Sequence, residues 1–215
     1  SGDTGAAAIS ALRKRKKINL FVLHPHNKIS KVQKKIMTTI GGSNIYNIAI
    51  KGSFDDCQKI VKQMFADNIF RQTINMSGVN SINWARIIFQ IVYYFYSFLK
   101  LNKKKLNYAV PTGNFGDIYA GYMAKKMGLP IEKLIVATNE NDILQRVINR
   151  GIYKPSKVKA SISPSMDIQI SSNFERLLFY IVNSKDKEVK KLMNDLATKG
   201  SFKLTSNQKK IIQKD

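Results

Sequence analysis

Two short segments of this chain place small polar residues and glycines directly ahead of a helical pattern: Ser1-Gly2-Asp3-Thr4-Gly5 and Pro111-Thr112-Gly113-Asn114-Phe115-Gly116-Asp117. The first N–H groups of a helix have no intrahelical partner and lie at the positive end of its dipole, so such a turn receives a carboxylate or phosphate. Two turns of this kind predict a doubly anionic ligand, or two anions meeting at one site. In the second turn the glycines let the backbone approach closely, and Asn114 offers an amide donor. Asp117 would repel a phosphate unless its side chain turns away or caps the helix. The same loop also reads as a plain tight strand-to-helix turn, because neither a Lys-Ser/Thr pair nor three-glycine dinucleotide spacing is present.

A third group is Asn80-Ser81-Ile82-Asn83 followed by Arg86, at the start of a long apolar helix. Spacing alone reads Ser81 first as a helix cap and Arg86 as an exposed helical residue. A guanidinium one turn into a mostly buried helix needs an anionic partner, however, and Asn80, Ser81 and Arg86 together could grip a phosphate through charge-assisted hydrogen bonds.

The elements that must position these groups alternate. β-branched runs predict strands over 18–23, 45–50, 108–110 and 134–137, and between them helical patterns fall at about 4–16, 31–40, 54–66, 82–99 and 116–127. That order marks an α/β chain with a parallel sheet. Gly41-Gly42 and Gly128 are expected to end helices in the left-handed conformation, and Ser53 to cap the next start. After Asn139 helices are expected at 142–149, 173–182, 187–198 and 206–212. A smaller α/β lobe over 1–68 carries the first turn, and part of a larger α/β lobe over 69–215 carries the glycine loop and the helical region.

Composition narrows the function. The 215 residues carry a formal charge of +22, yet the lysines are scattered and not interleaved with aromatics as a base-stacking surface would be, which argues against a nucleic-acid partner. The apolar stretch 82–99 is broken by Asn83, Arg86 and Gln90 and holds Tyr93, Tyr94 and Tyr96 in its interior, so it reads as a buried helix between two layers and not a membrane span. A single cysteine excludes a disulfide framework in this segment and fits a reducing, cytoplasmic setting. Cys57 reads as a packing residue, and His24 and His26, flanking Pro25 in a loop, do not make a metal site. No methionine starts the chain, and the first residue already lies inside a motif, so a longer polypeptide is expected.

Taken together and in order, Ser1-Gly2-Asp3-Thr4-Gly5-Ala6-Ala7, Lys28-Ile29-Ser30, Gly52-Ser53-Phe54-Asp55-Asp56-Cys57, Asn80-Ser81-Ile82-Asn83-Trp84-Ala85-Arg86 and Val110-Pro111-Thr112-Gly113-Asn114-Phe115-Gly116-Asp117 resemble the middle of the threonine synthase family. Ser163-Pro164-Ser165-Met166-Asp167-Ile168 and Ser171-Ser172-Asn173-Phe174-Glu175-Arg176-Leu177-Leu178 resemble its long form. The resemblance implies fold type II of the pyridoxal-phosphate enzymes (tryptophan synthase β-like): two lobes, parallel sheets and helices on both faces. It implies conversion of O-phospho-L-homoserine and water to L-threonine and phosphate. Gly113, Asn114, Phe115, Gly116 and Asp117 are then expected to hold the cofactor phosphate. Ser1, Asp3 and Thr4 would receive the amino-acid carboxylate, and Asn80, Ser81 and Arg86 the substrate phosphate. The family's Schiff-base lysine precedes the Ser-Gly-Asp-Thr segment, so no lysine here takes that role and this segment alone is expected to be inactive. A related fold type II lyase without a second phosphate site and a basic nucleic-acid-binding module are the competing readings. No chemical role is implied for residues 163–178 beyond packing.

Overall fold

The computed structural model describes residues 2–80 and 82–214, and it divides into two compact units. The first comprises Ser1–Asn80 and Ala160–Ser165, the second Ser81–Lys159 and Met166–Asp215. The first of these units includes the short helix that follows residue 67, which packs on the helix before it.

The first unit runs α1 (Gly2–Leu12), β1 (Leu20–Pro25), α2 (Lys31–Thr39), β2 (Ile45–Ile50), α3 (Phe54–Ala66) and α4 (Asn68–Thr73). β1 and β2 pair in parallel from Leu20 opposite Ile45 to Pro25 opposite Ile50. Apolar residues of α1, α2 and β1, among them Ile9, Met37, Leu20 and Val22, form its core. Gly5 lets α1 sit close on the strand: a Cβ there would lie 2.9 Å from Val22 Cγ1. Serines and an aspartate set the helix starts, with Ser30 and Gln33 closing a capping box on α2, Ser53 and Asp56 another on α3, and Asp67 capping α4. Gly41 and Gly42 do not take the left-handed conformation expected of them; α2 ends at Ile40 with φ −82°. His24, expected in a loop, is buried within β1. Cys57 is buried in α3, where desolvation pushes its thiol pKa up and keeps it a packing group.

The second unit runs α5 (Trp84–Leu101), β3 (Leu106–Pro111), α6 (Gly116–Lys126), β4 (Ile131–Ala137), α7 (Ile143–Arg150), β5 (Ile152–Tyr153), α8 (Phe174–Ile181), α9 (Asp186–Lys199), β6 (Phe202–Lys203) and α10 (Ser206–Lys214). β3 and β4 are parallel, whereas β5 and β6 form an antiparallel pair the sequence did not announce. Gly128, with φ +99°, lies just beyond α6 in the left-handed conformation expected of it. The core gathers α6 with α7 and α8, and Ile118, Ala120, Leu144, Val147, Phe174 and Leu178 are all buried in it.

α5 was expected to be buried between two layers, and it is not. Ile87 and Tyr94 are buried against the core, while Phe89 is 71% and Leu99 73% exposed on a face that also carries Val92, Tyr93 and Tyr96. α5 packs on α6, and large apolar residues continue onto its exposed face, so hydrophobicity alone does not mark the buried side. Among the described residues no helix is long and apolar enough to cross a membrane.

Candidate functional site

In the first unit, Ser1 lies outside the described residues, and Asp3 and Thr4 stand in the first turn of α1. Both carboxylate oxygens of Asp3 are engaged: Oδ1 accepts from Gln33 Nε2 at 2.8 Å and Oδ2 from Ser165 Oγ at 2.5 Å. The Ser165 hydroxyl and then the Gln33 amide hold its carboxyl below the usual carboxylate range. Gln33 is itself fixed by the capping box of α2, its Oε1 accepting from Ser30 N–H at 3.2 Å. Asp3 therefore ties the start of α1 to α2 and to the 160–165 segment. Gln33 was legible only as a capping-box residue, three positions after Ser30, and its second bond is a tertiary matter. Asn80, half-buried, closes this unit.

In the second unit the cap of α5 is Asn83; Ser81, which the sequence read as a cap, lies outside the described residues. Asn83 Oδ1 accepts from Ala85 N–H at 3.0 Å, and the helix begins at Trp84. Arg86 is thereby in the first turn, half-buried, its N–H bonded to Asn83 O at 3.1 Å.

The glycine loop follows β3 and opens α6. Thr112 N–H donates to Ala137 O at 3.1 Å, extending the β3–β4 ladder up to the turn. A Cβ on Gly113 would lie 3.1 Å from Ile168 Cδ1 and 3.3 Å from Met166 Cα, so the loop is pressed against the 166–168 backbone. Asp167 anchors that backbone by accepting from Asn139 Nδ2 at 2.8 Å and Asn141 Nδ2 at 3.1 Å. Asn114, expected as a side-chain donor, uses its oxygen to accept from Gly116 N–H at 3.0 Å. Phe115 takes φ +67°, a left-handed conformation uncommon outside glycine, and stands at the N-cap with no side-chain bond to the helix. Its ring lies edge-on to Phe174, centroids 5.4 Å apart.

Asp117 turns away from the loop. The Tyr94 hydroxyl, from α5, donates to Asp117 O at 3.0 Å and lies 3.2 Å from Oδ1. Burial pushes the Asp117 carboxyl pKa up, the tyrosine bond opposes this, and the tyrosine's own pKa is driven far up by its burial. Gly121 permits this approach: a Cβ there would sit 2.6 Å from Tyr94 Cε1 and 2.9 Å from Leu134 Cδ2.

The 171–176 segment, which the sequence left as packing, touches both anion-binding candidates of this unit. Asn173 N–H donates to Asn114 O at 3.0 Å, its Oδ1 accepts from Arg176 Nε at 2.9 Å, and Arg176 Nη2 donates to Ile82 O at 2.7 Å. These partners stand up to 94 positions apart in the chain, and no local pattern could have paired them.

Residues present at the α6 turn fit a phosphate: a capping position, Phe115, that gives the helix no side-chain bond, glycine on both sides of Asn114, and an acidic neighbour held off by Tyr94. The profile of the pyridoxal-phosphate-dependent enzymes matches residues 1–203. Threonine synthase of Pseudomonas aeruginosa is 53% identical over 207 residues, covering 95% of this chain and 44% of that relative. The pyridoxal-phosphate-bound threonine synthase of Brucella melitensis superposes with a TM-score of 0.86 at 50% identity, covering 100% of this chain and 47% of that one. Yeast threonine synthase superposes at 0.83 with 49% identity, covering 99% and 44%. The chain thus spans under half the length of these relatives. From the matched profile and the geometry of its loop, the chain belongs to the pyridoxal-phosphate-dependent enzyme family.

Proposed function

We propose that the complete polypeptide carrying this chain is a threonine synthase, which converts O-phospho-L-homoserine and water to L-threonine and inorganic phosphate with pyridoxal phosphate. The observation that carries this reading is the start of α6, where the capping position Phe115 gives the helix no side-chain bond and the Gly116 N–H is met by the neighbouring Asn114 Oδ1, which a phosphate oxygen can displace, while α5 offers a second anion receiver, Arg86, in its own first turn. Named relatives at about half identity support it.

In this reading the backbone of Gly113, Asn114, Phe115, Gly116 and Asp117 holds the cofactor phosphate, the helix dipole contributing. Bound there, the cofactor supplies an electron sink for charge beside the amino-acid Cα. Arg86, with Asn80 and Ser81, holds the substrate phosphate. The reaction breaks the Cγ–O bond, so charge grows on the departing phosphate and a guanidinium that grips it gains strength in the transition state. The Ser1 to Thr4 turn receives the carboxylate through backbone N–H groups, Thr4 adding its hydroxyl and Asp3 holding the turn in shape through Gln33 and Ser165. Tyr94 keeps the Asp117 charge away from the bound phosphate.

The test uses the full-length protein. Release of threonine and phosphate from O-phosphohomoserine is expected, and Arg86→Ala should lower kcat/KM for that substrate by about a hundredfold or more. Equal turnover of unphosphorylated serine or threonine by the unaltered enzyme, with no loss in the Arg86 variant, overturns the reading in favour of a dehydratase-like lyase.

A further inference from the structure

We infer that Arg176 is a positioning residue that sets the start of α5, and with it Arg86, for the substrate phosphate. This rests on the reading of Arg86 given above.

The contacts close into a ring within the second unit. From the glycine loop, Asn114 O accepts the Asn173 N–H at 3.0 Å. From Asn173, Oδ1 accepts the Arg176 Nε–H at 2.9 Å, and Arg176 Nη2 reaches Ile82 O at 2.7 Å. The guanidinium also lies over the Trp84 ring, Cζ 5.3 Å from the centroid, and Trp84 meets Tyr119 of α6 edge-on at 6.1 Å. Tyr119 returns to the loop through its N–H on Phe115 O, at 3.1 Å.

Arg176 occupies the middle of this ring and binds neutral groups: a side-chain amide, a main-chain carbonyl and an indole face. Its work there is geometric. The Ile82 carbonyl stands one residue before the Asn83 cap, and the guanidinium donates to it at 2.7 Å. A planar fork meets an amide and a carbonyl at once while stacking on a ring, and an ammonium does not reproduce that shape. The start of the helix bearing Arg86 is thereby locked to the residue that holds the Asn114 carbonyl. Asn173 is itself fully buried, with its Nδ2 unpartnered among the described residues, so the segment accepts an orphaned polar atom to keep this placement. The link from Asn173 to the loop runs through a backbone N–H, which a change at Arg176 leaves in place. Substrate and cofactor affinity should therefore respond differently.

The experiment compares Arg176→Lys and Arg176→Met with Glu175→Gln, an exposed position on the same helix, all in the full-length enzyme. KM and kcat for O-phosphohomoserine are read together with the calorimetric dissociation constants of inorganic phosphate for the holoenzyme and of pyridoxal phosphate for the apo-protein. Both Arg176 variants are expected to raise KM and the phosphate dissociation constant by about tenfold or more while cofactor affinity changes by less than about threefold, and Glu175→Gln to change neither. A fall in thermal midpoint with KM unchanged, or a parallel loss of cofactor and substrate affinity, overturns the inference. The Lys variant retains bulk and charge, so it keeps the test informative if the Met variant does not fold. An unaltered enzyme that does not consume O-phosphohomoserine sinks the threonine synthase reading itself, whereas an active enzyme indifferent to Arg176→Lys sinks only this inference.

Discussion

Helices α3 and α6 both begin after a glycine and carry an aspartate in their first turn, and the two starts are built in opposite ways. At α3, Ser53 Oγ accepts from Asp56 N–H at 3.3 Å and Asp56 Oδ2 accepts from Ser53 N–H at 2.6 Å, so the first turn satisfies itself. At α6 the capping position is Phe115, which gives the helix no side-chain bond, and the aspartate is drawn to Tyr94 of α5. The carboxyl pKa values move accordingly: the Ser53 backbone and hydroxyl bonds pull Asp56 down, while burial pushes Asp117 up. A self-capped start stabilises its own helix; a start whose capping residue gives no side-chain bond, braced from behind by a neighbouring helix, offers its N–H groups to a ligand once Asn114 Oδ1 yields that of Gly116.

The contrast breaks most visibly at Gly113. Gly113→Ala crowds a methyl against Ile168 Cδ1 at 3.1 Å and Met166 Cα at 3.3 Å, so the loop must shift, and cofactor affinity measured on the full-length apo-protein should weaken by about ten- to a hundredfold with little change in the self-capped unit. Gly121→Ala attacks the brace. The helix-propensity gain of about 1 kcal/mol is outweighed by a clash with the Tyr94 ring and Leu134, and chemical denaturation should report a loss of about 1–3 kcal/mol. Ser53→Ala is the counterpart at α3: it should cost about 1 kcal/mol of stability in the same assay and leave cofactor affinity unchanged.

The finest distinction is in pH. Asp56 has a depressed pKa, so its stabilisation is present above the unfolded carboxylate pKa and fades as pH falls through the folded one; Asp56→Asn should destabilise at neutral pH and converge with the parent in acid. Asp117 has a raised pKa, so the folded state is penalised as pH rises through its folded value. Asp117→Asn should leave the thermal midpoint unchanged in acid and raise it slightly at neutral pH. Midpoints of the same sign for both substitutions would erase the distinction between the two starts.

Much of this was readable one residue at a time. The span of α3, the strand β2 and the Ser53 cap follow from period and capping chemistry, and they stand where the sequence put them. α4 went unread although Asp67 marks its start, because six residues carry too little periodicity. At α5 the choice between Ser81 and Asn83 as cap is a contest between equally good cap residues two positions apart. The β5–β6 pair joins two-residue strands from distant parts of the chain, held by Tyr153 stacked on Phe202 at 4.9 Å, and no window along the sequence contains both.

What the chain encodes locally is where backbone may turn, which helix starts are capped by their own residues, and which turns hold glycine, since those depend on steric limits within a few residues. Tertiary structure alone decided which face of α5 is buried, which way the Asp117 side chain is bonded, and that Asn173 and Arg176 bridge the loop to the start of α5. Those outcomes depend on groups that lie far apart in sequence, and hydrophobic burial and hydrogen-bond satisfaction are settled only when such groups meet.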